Sequence, residues 1–557
     1  MAVEQLITNN IDLWTSAIKK KSATGRGSSE KIELYGIKKL RELILELAVR
    51  GKLVPQEPTD EPANELLKRI EAEKAQLIKD KKIKKTKKLP EILDSEIPFS
   101  IPSSWNFLHL ADSYYSISPS GKKLKTSEIS EKGRFPVVDQ GQEYISGYSD
   151  QESLVINIPS EVIIFGDHTR NIKHVDFDFI AGADGTKILC PLLVNSKYFY
   201  LVLNSYDLDS RGYGRHFKIL NANLIPIPPI EEQQRIVDKV DELMALCDQL
   251  ESQAKDTLKA HEILVQVLLT TLTDSKNAEE LNQNWQRVSE HFDTLFTTEQ
   301  SIDQLKQTIL QLAVMGKLVP QNPNDAPASV LLEKIAEEKA QLIKDKKIKK
   351  QKSLPPISDE EKPFELPKGW EWTRLGNTSI SRLGKMLDKG KNKGNLLPYV
   401  RNTNVQWNCF ELEDVKLMRI EDSEKDEFRL KKGDLLICEG GEPGRCAIWQ
   451  NETVEMYFQK ALHRVRPLGS ILPNYLMSIL MVDANSKSLD KYFTGATIKH
   501  FVGAKLNAYV IPLAPINEQH RIVTKVEELI ALCDQLKTNI SNAQTTQLNL
   551  TDVIIDQ

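Results

Sequence analysis

The chain has 557 residues, a formal net charge of −4, 40% hydrophobic and 27% charged residues, which is the composition of a soluble protein with several domains. It has no apolar run of about 18 residues and no signal-peptide pattern at its start, so we expect no membrane association. Its six cysteines form no CxxC pair, which argues against a zinc site and predicts a reduced, cytoplasmic protein. The weak net charge leaves nucleic-acid binding open, because local patches matter more than totals.

The first element is a predicted N-terminal extension, residues 1–36. VEQLITNNIDLWTSAIKK favours a helix, and SATGRGSSEK after it favours a flexible segment. Residues 276–300 also start with an acidic, polar and leucine-containing stretch. They are either a counterpart of the extension or a linker helix.

Two scaffold segments then recur along the chain. IKKLRELILELAVRGKLVPQ (37–56) matches IDQLKQTILQLAVMGKLVPQ (302–321), and EKAQLIKDKKIKK occurs unchanged at 73–85 and 338–350. Each GKLVPQ predicts the end of a helix, with Gly51 or Gly316 as the C-terminal cap and a proline four residues later as the stop. A second helix should follow, through ELLKRIEAEKAQLIKDKKIKK.

That second helix is predicted to end in a lysine run, with six lysines between 81 and 88. A helix C-terminus favours cations, so the run is either a solvated helix end or a contact for phosphate or a partner.

The central regions, residues 98–228 and 363–514, share little sequence but the same order of features. Short apolar runs alternate with Gly, Asn and Asp turns, which predicts mostly strands with a few helices. EVIIFGDHTR corresponds to GDLLICEGGEPGR, GTKILCP to QKALHRVRP, the helix-like YFYLVLNSY to NYLMSILMV, and GYGRHFKIL to GATIKHFVG. The first region has 12 basic and 14 acidic residues, and residues 364–512 have 22 and 18. The resulting net charges, −2 and +4, are too weak for either region to hold DNA by neutralising phosphates alone.

A long helix should follow each central region. Apolar residues alternate spacings of four and three there, as in a coiled-coil seam. The predicted seam residues are Ile236, Val240, Leu243, Cys247 and Leu250 in the first helix, and Ile522, Val526, Leu529, Cys533 and Leu536 in the second.

The chain is therefore a tandem duplication with similar flanks and different centres. Drift alone would erode both alike, so preserved flanks indicate one scaffold, presented twice, that carries two different surfaces. The predicted domains are the extension 1–36, scaffold copy 37–97, recognition domain 98–228, central coiled-coil helix 229–275, linker and second scaffold copy 276–362, recognition domain 363–514, and C-terminal coiled-coil helix 515–557.

The polar turns of both centres concentrate side chains that can reach phosphates and base edges. Each alone could equally be a hydrogen-bonded loop residue, but they recur at matching places. The candidate DNA-binding residues are His168, Arg170, Lys187, Arg211, Tyr213, Arg215 and His216 in the first domain, and Arg445, Lys460, His463, Arg464, Thr497, Lys499 and His500 in the second.

Motifs of catalysis are absent from the sequence. There is no GxGxxG after a strand, no P-loop, no HExxH and no Asn/Asp-Pro-Pro-aromatic motif, which an amino-methyltransferase needs to hold a flipped base. A chain with two domains that could contact DNA and no recognisable active site predicts that the catalytic sites lie on other subunits.

In these features the chain resembles the specificity subunit of type I restriction-modification systems, over essentially its whole length. The segments that carry the resemblance are both GKLVPQ helix ends, GDHTR (166–170), GADGTK (182–187), GYGRHFKIL (212–220), GDLLICEGGEPGR (433–445), and the two Pro-x-(Glu/Asn)-Glu-Gln-(Gln/His)-Arg-Ile-Val segments. Relative to compact family members, residues 1–36 are additional.

The resemblance implies an α+β fold: two globular mixed α/β target-recognition domains, separated by long helices paired as an antiparallel coiled coil, in a tandem repeat with pseudo-twofold symmetry. Each domain would read one half of a split, asymmetric duplex DNA target. Two methyltransferase subunits would use S-adenosylmethionine to methylate adenine N6, and restriction subunits would use ATP and Mg²⁺. The chain itself would need no cofactor or metal, catalyse nothing, and act in bacterial or archaeal cytoplasm.

Two other classes stay open from the residues alone. A duplicated coiled-coil scaffold could display two protein-binding domains, which the weak basicity favours. Alternatively, an unrecognised active site could make the chain a self-sufficient methyltransferase or nuclease.

Overall fold

A computed structural model describes residues 3–21, 31–85, 89–119, 121–182, 185–208, 214–276, 278–388, 390 and 392–556. The chain divides into two compact units, Met1–Thr257 with Gln544–Gln557, and Leu258–Ala543. Each unit contains one scaffold copy and one central region, and the two longest helices contribute residues to both units.

The helices up to the first central region and just after it are α1 (Val3–Asn9), α2 (Ile11–Ser16), α3 (Tyr35–Val49), α4 (Ala63–Lys79), α5 (Ser196–Ser205), α6 (Phe217–Leu220) and α7 (Ile230–Asp274). Those that follow are α8 (Ala278–Glu290), α9 (Phe292–Leu295), α10 (Glu299–Val314), α11 (Ala328–Lys344), α12 (Leu375–Thr378), α13 (Lys425–Phe428), α14 (Pro473–Asn485), α15 (Gly503–Ala508) and α16 (Ile516–Asp556).

The strands of the first unit are β1 (Lys19–Lys21), β2 (Lys31–Glu33), β3 (Asn106–His109), β4 (Tyr114–Ile117), β5 (Lys123–Leu124), β6 (Phe135–Val138), β7 (Gly147–Ser149), β8 (Val155–Ile156), β9 (Val162–Gly166), β10 (Ile172–Val175), β11 (Phe179–Gly182), β12 (Thr186–Pro191) and β13 (Leu224–Ile227). Those of the second are β14 (Glu371–Arg374), β15 (Ser379–Leu383), β16 (Asn395–Val400), β17 (Val405–Gln406), β18 (Cys409–Phe410), β19 (Lys416–Ile420), β20 (Leu435–Cys438), β21 (Cys446–Ile448), β22 (Tyr457–Phe458), β23 (Leu462–Pro467) and β24 (Val510–Leu513).

Both central regions are rich in strands, as predicted, and their main sheets have the same topology. The first has an antiparallel sheet of order β10-β9-β12-β4, and the second has β21-β20-β23-β15. In the smaller sheets, β6 pairs parallel with β11 and antiparallel with β7, just as β16 pairs parallel with β22 and antiparallel with β19. Regions with little common sequence therefore share one strand order.

The GKLVPQ segments end their helices as predicted. α3 ends at Val49, and Gly51 follows in the left-handed conformation with φ of +68°. A Cβ atom on Gly51 would lie 2.5 Å from Pro102 and 3.1 Å from Trp105, so the position needs both the free φ and the missing side chain. Gly316, with φ of +70°, takes the same place after α10.

The prediction that the next helix continues through the lysine run is wrong. α4 ends at Lys79 and α11 at Lys344, and the left-handed conformation of Lys81 and Lys346, both with φ of 59°, prevents their continuation. Lys81, Lys82, Lys84 and Lys85 are exposed in an irregular segment, and residues 86–88 lie outside the described part.

The predicted helix of the N-terminal extension is two short helices, α1 and α2, followed by strand β1, which pairs with β2. Trp14 is fully buried, and a Cβ atom on Gly36 would lie 2.4 Å from its carbonyl oxygen, so α2 packs closely on α3. The Tyr35 hydroxyl donates to the Asp552 carboxylate near the end of α16 at 2.6 Å. The predicted flexible segment largely falls outside the described residues.

The seam residues of α7 from Ile236 to Leu250 are all buried, whereas in α16 Leu529 and Leu536 stay partly exposed. Within each unit the neighbouring scaffold helix packs near the seam. Arg41 of α3 donates to Asp248 of α7 at 2.6 Å, and Lys537 of α16 lies 2.7 Å from Asp303 of α10. Antiparallel pairing of the two long helices stays a prediction.

Candidate nucleic-acid interface

The first Pro-x-(Glu/Asn)-Glu-Gln-(Gln/His)-Arg-Ile-Val segment lies at the start of α7, and its side chains make a set of internal contacts that we call the anchor. Glu232 is 1% exposed and accepts hydrogen bonds from Trp105 Nε1 at 2.9 Å and Gln56 Nε2 at 2.6 Å. Arg235, one turn later, donates to Asp60 at 2.6 and 3.2 Å. One motif therefore joins the scaffold, the first recognition domain and the long helix.

The second copy repeats this anchor residue for residue. Glu518 accepts from Trp370 Nε1 at 3.0 Å and Gln321 Nε2 at 2.7 Å, and Arg521 donates to Asp325 at 2.8 Å. Burial raises the pKa of both Glu232 and Glu518 above the usual range of a carboxyl, although the hydrogen bonds oppose that rise. The glutamates and tryptophans of both copies are buried, which indicates that these residues recur because they hold the fold.

The candidate segments of the first domain meet at one end of its main sheet. β9 ends and β12 begins there, so residues 167–171 and the segment leading into Thr186 are adjacent, and Asp167 N donates to Gly185 O at 2.8 Å. The later segment joins them, because His216 N donates to Asp167 O at 2.8 Å.

The second domain has the equivalent arrangement. Residues 439–445 follow β20, Glu439 N donates to Ala461 O at 2.9 Å, and Phe501 N donates to Glu439 O at 2.7 Å. Residues 494–500 form a small hairpin before Phe501, closed by two backbone hydrogen bonds between Thr494 and His500. Each domain thus presents one cluster of loops at the same end of an equivalent sheet.

Three candidates of the first domain lie in this cluster with partners. His168 is half-buried, and its backbone N–H donates to Gln140 Oε1 at 3.2 Å. Arg170 is exposed at a φ of +65°, and its guanidinium donates to Leu208 O at 2.6 Å. Lys187 is half-buried with Nζ 3.6 Å from Asp167 Oδ2.

The remaining candidates of the first domain differ in exposure. Arg215 is exposed, but His216 is only 1% exposed, with Nδ1 3.0 Å from Asp167 O. Its burial argues against a direct DNA contact and makes it a residue that holds the loop. Arg211 and Tyr213 lie outside the described residues.

In the second domain Arg445 connects two loops. Its side chain is 15% exposed and donates to Glu442 and to Asn402 O, both at 2.9 Å. Burial raises the pKa of the neighbouring Cys438 thiol to about 11, although the guanidinium opposes that rise. Arg445 therefore shapes the loop that a ligand would meet.

His463 and Arg464 are interior residues of β23, which removes them from the exposed set. His463 is 2% exposed with Nε2 2.9 Å from Phe501 O, and burial lowers its pKa. Arg464 is 6% exposed, donates to Glu427 O at 2.6 Å, and burial lowers its pKa to about 10. Both faces of β23 are covered, so alternation along the strand exposes neither side chain.

Four candidates of the second domain are exposed: Lys460, Thr497, Lys499 and His500. The Lys499 ammonium lies 2.7 Å from Asp490. His500 packs beside Gly440, where an added Cβ atom would lie 3.1 Å from Nδ1. The hairpin and the 439–445 loop thus form one continuous surface.

Other residues of these clusters escaped the sequence analysis. The backbone carbonyl oxygen of Gln140 accepts a hydrogen bond from Asn171 Nδ2 at 3.0 Å. Asn402 Nδ2 donates to Gly440 O at 3.3 Å. Trp407 is half-buried, with Nε1 2.8 Å from Glu442. The polar stretch RNTNVQWN at 401–408 was a usable signal for Asn402 and Trp407, whereas nothing local marks Gln140.

Within the described residues, no His, Cys, Asp and Glu side chains are grouped so that they could hold a metal ion. No helix of that part is both long and apolar enough to cross a membrane.

Two stretches of the chain, residues 102–260 and 367–544, match the family of the type I restriction modification DNA specificity domain. Over its full length the chain is 42% identical to the specificity subunit of the type I restriction enzyme EcoAI and 40% identical to that of EcoEI, both from Escherichia coli and each covered to 99%. The chain therefore belongs to the family of type I restriction enzyme specificity subunits.

A solved structure is also similar to this chain, the HsdS subunit from Thermoanaerobacter tengcongensis. The two are 16% identical with a TM-score of 0.39, and the match covers 83% of this chain and 98% of that one. The family assignment rests on the sequence matches.

Proposed function

We propose that this chain recognises a split, asymmetric DNA target, one half with each recognition domain, and directs partner subunits to it. The observation that carries the proposal is that two domains with one strand order present different side chains at the same loops. Because the loops are equivalent, each domain would contact DNA with the same end of its main sheet. Because their side chains differ, each domain would prefer a different DNA sequence.

The partners in this proposal are two adenine-N6 methyltransferase subunits and ATP-dependent restriction subunits. The recurring scaffold supports two copies of one partner, because 73–85 and 338–350 offer the same thirteen residues twice. S-adenosylmethionine would bind the methyltransferase, and ATP and Mg²⁺ the restriction subunit, in the cytoplasm of a bacterium or archaeon. The long helices would pair antiparallel and fix the spacer between half-sites, with pseudo-twofold symmetry between copies.

The grip on DNA would be shared with the partners. The first recognition domain has a net charge of −2 and residues 364–512 have +4, which is little for neutralising phosphates. The specificity subunit would supply base contacts and the methyltransferase much of the backbone contact and the flipping of the adenine.

The test is a methylome. The chain is co-expressed with its neighbouring methyltransferase in a host without adenine methylation, and N6-methyladenine is mapped across the genome. We expect one split motif, methylated once on each strand, only when this chain is present. A soluble complex that methylates no motif would contradict the proposal and favour a protein-binding scaffold.

A second experiment tests which domain reads which half of the motif, with a variant in which a Gly-Ser linker of equal length replaces residues 494–500. Loss or relaxation confined to one half of the motif would assign that half to the second domain. Loss on both halves, with the complex still assembled, would contradict the division of labour between the domains.

A further inference from the structure

The hairpin of residues 494–500 in the second recognition domain has a well-anchored base. Thr494 and His500 exchange backbone hydrogen bonds of 2.9 and 2.8 Å, and Gly495 makes the turn with a φ of +95°. Phe501, immediately after it, is fully buried and packs edge to face on Phe493 with ring centroids 5.5 Å apart. The hairpin is therefore short, closed and fixed to the core.

Its tip exposes a large apolar side chain. Ile498 is 67% exposed, between Thr497 and Lys499, which are exposed as well. A Cβ atom on Gly495 would lie 2.2 Å from the Ile498 carbonyl oxygen, so the tight turn needs glycine there to bring Ile498 forward. Scattered apolar residues on a surface are ordinary, so exposure alone carries no conclusion.

Other apolar side chains are exposed at the same end of the main sheet as Ile498. The end of the main sheet that carries the hairpin also carries Met386 and Leu387, which follow β15 and are 57% and 48% exposed. Lys460 N donates to Lys385 O at 2.8 Å, which places these two residues beside the exposed Lys460. Exposed apolar side chains near ammonium groups suit duplex DNA as a ligand. Its phosphates are anionic, and its base pairs stack as flat rings with apolar faces.

We propose that Ile498 is an apolar wedge that inserts between base pairs of the half-site read by the second domain. The inference rests on the proposed function, because it takes duplex DNA as the ligand of this surface. Proteins that insert Ile, Leu or Met between base steps unstack them partly and kink the duplex, and a rigid hairpin can transmit that push. Sequence preference would arise because pyrimidine–purine steps unstack most easily, without a hydrogen bond to a base.

The experiment uses the purified complex with its methyltransferase and duplexes that carry the mapped motif. 2-Aminopurine replaces one base at a time across the half-site of the second domain, and its fluorescence reports unstacking. Apart from the adenine that the methyltransferase flips, we expect one step to brighten with the wild-type complex. Ile498→Ala should abolish this signal and weaken target binding by about tenfold, a size typical of losing one specific base contact, while Ile498→Leu should retain both.

The matched control is Leu417→Ala, because Leu417 is 60% exposed on strand β19 of the same domain, outside these loops. It should leave the fluorescence and the affinity as in the wild type.

Three outcomes would overturn the wedge. In the first, Ile498→Ala weakens binding although no step other than the flipped adenine brightens with the wild type, which makes Ile498 a groove-surface contact. In the second, the substitution releases the methyltransferase, which makes the hairpin a protein-docking surface. In the third, neither binding nor fluorescence changes. Failure of the proposed function is distinguishable, since the wild-type complex would then show no preference for any motif.

Discussion

The two recognition domains place different side chains at equivalent positions of one sheet. Lys187 pairs in register with Phe165, and His463 pairs in register with Ile437 at the equivalent site. Lys187 is half-exposed beside a carboxylate, whereas His463 is buried against a backbone carbonyl. The same strand order therefore fixes where the loops lie but leaves the chemistry of each position free.

The anchors at the starts of α7 and α16 show the opposite behaviour, since the same kinds of side chain are paired in both copies. Five kinds of side chain, Glu, Trp, Gln, Arg and Asp, are paired in both copies, with donor–acceptor distances that agree within a few tenths of an ångström. Inward-facing contacts are preserved because losing one leaves a buried donor without a partner. If this account is right, substitutions in the anchors should act on stability and substitutions in the loops on DNA binding.

The largest effect is expected at the anchors. Glu232→Ala and Glu518→Ala should each lower the free energy of unfolding of the unit concerned by about 1–3 kcal/mol, because the indole N–H of the buried tryptophan is left without an acceptor. Scanning calorimetry of the full chain measures both, and Glu231→Ala, at the exposed neighbouring position, serves as the control. A large loss from one substitution and none from the other would show that the two anchors are not equivalent.

The stability of the second domain should depend on pH through His463, which the first domain lacks at the equivalent position. Burial lowers the pKa of His463, so the unfolded chain binds the proton more readily than the folded one. Stability from this group is complete above the unfolded pKa near 6.5 and falls as the pH drops toward the folded pKa, by at most about 1.4 kcal/mol per pH unit.

His463→Gln keeps an N–H donor for the Phe501 carbonyl and should flatten this slope below about pH 6.5 in denaturant titrations. His520→Gln, at an exposed position of α16, is the control. An unchanged slope in His463→Gln would show that the titration belongs to another group.

A smaller and symmetric effect is expected from two exposed cations, one in each domain. Arg215→Ala and Lys460→Ala should each weaken duplex binding by the assembled complex about fivefold and reduce the salt slope by about 0.9, if each neutralises one phosphate. Fluorescence anisotropy over a series of salt concentrations checks this with target and unrelated duplexes. Loss on the target alone would identify a base contact instead.

The smallest effect concerns the contact between scaffold and domain. Lys74 reaches the Asp112 carboxylate at 2.5 Å, whereas its counterpart Lys339 lines a groove of about 950 Å³ beside Asn377, and burial lowers its pKa. Asn377→Asp would supply the missing carboxylate and should stabilise the second unit by about 0.5 kcal/mol, whereas Asp112→Asn should destabilise the first by a similar amount. Opposite shifts of the two calorimetric transitions would confirm the pairing, and shifts of the same sign would contradict it.

The sequence determined the features that depend on local periodicity and local backbone chemistry. The duplication, the helix ends at Gly51 and Gly316, the strand-rich centres and the long helices from Ile230 and Ile516 follow from repeats, capping glycines and apolar spacing. Local signals failed at Lys81 and Lys346, because helix-forming residues do not reveal that the chain turns left-handed there.

The tertiary structure decided which polar side chains are available to a ligand. His216, His463 and Arg464 resemble reading residues in the sequence but are enclosed once their strands and loops pair with distant segments. Ile498 shows the reverse, since this large apolar side chain is exposed at the tip of a hairpin. Burial depends on contacts between residues far apart in the chain, and periodicity within a segment carries no information about them.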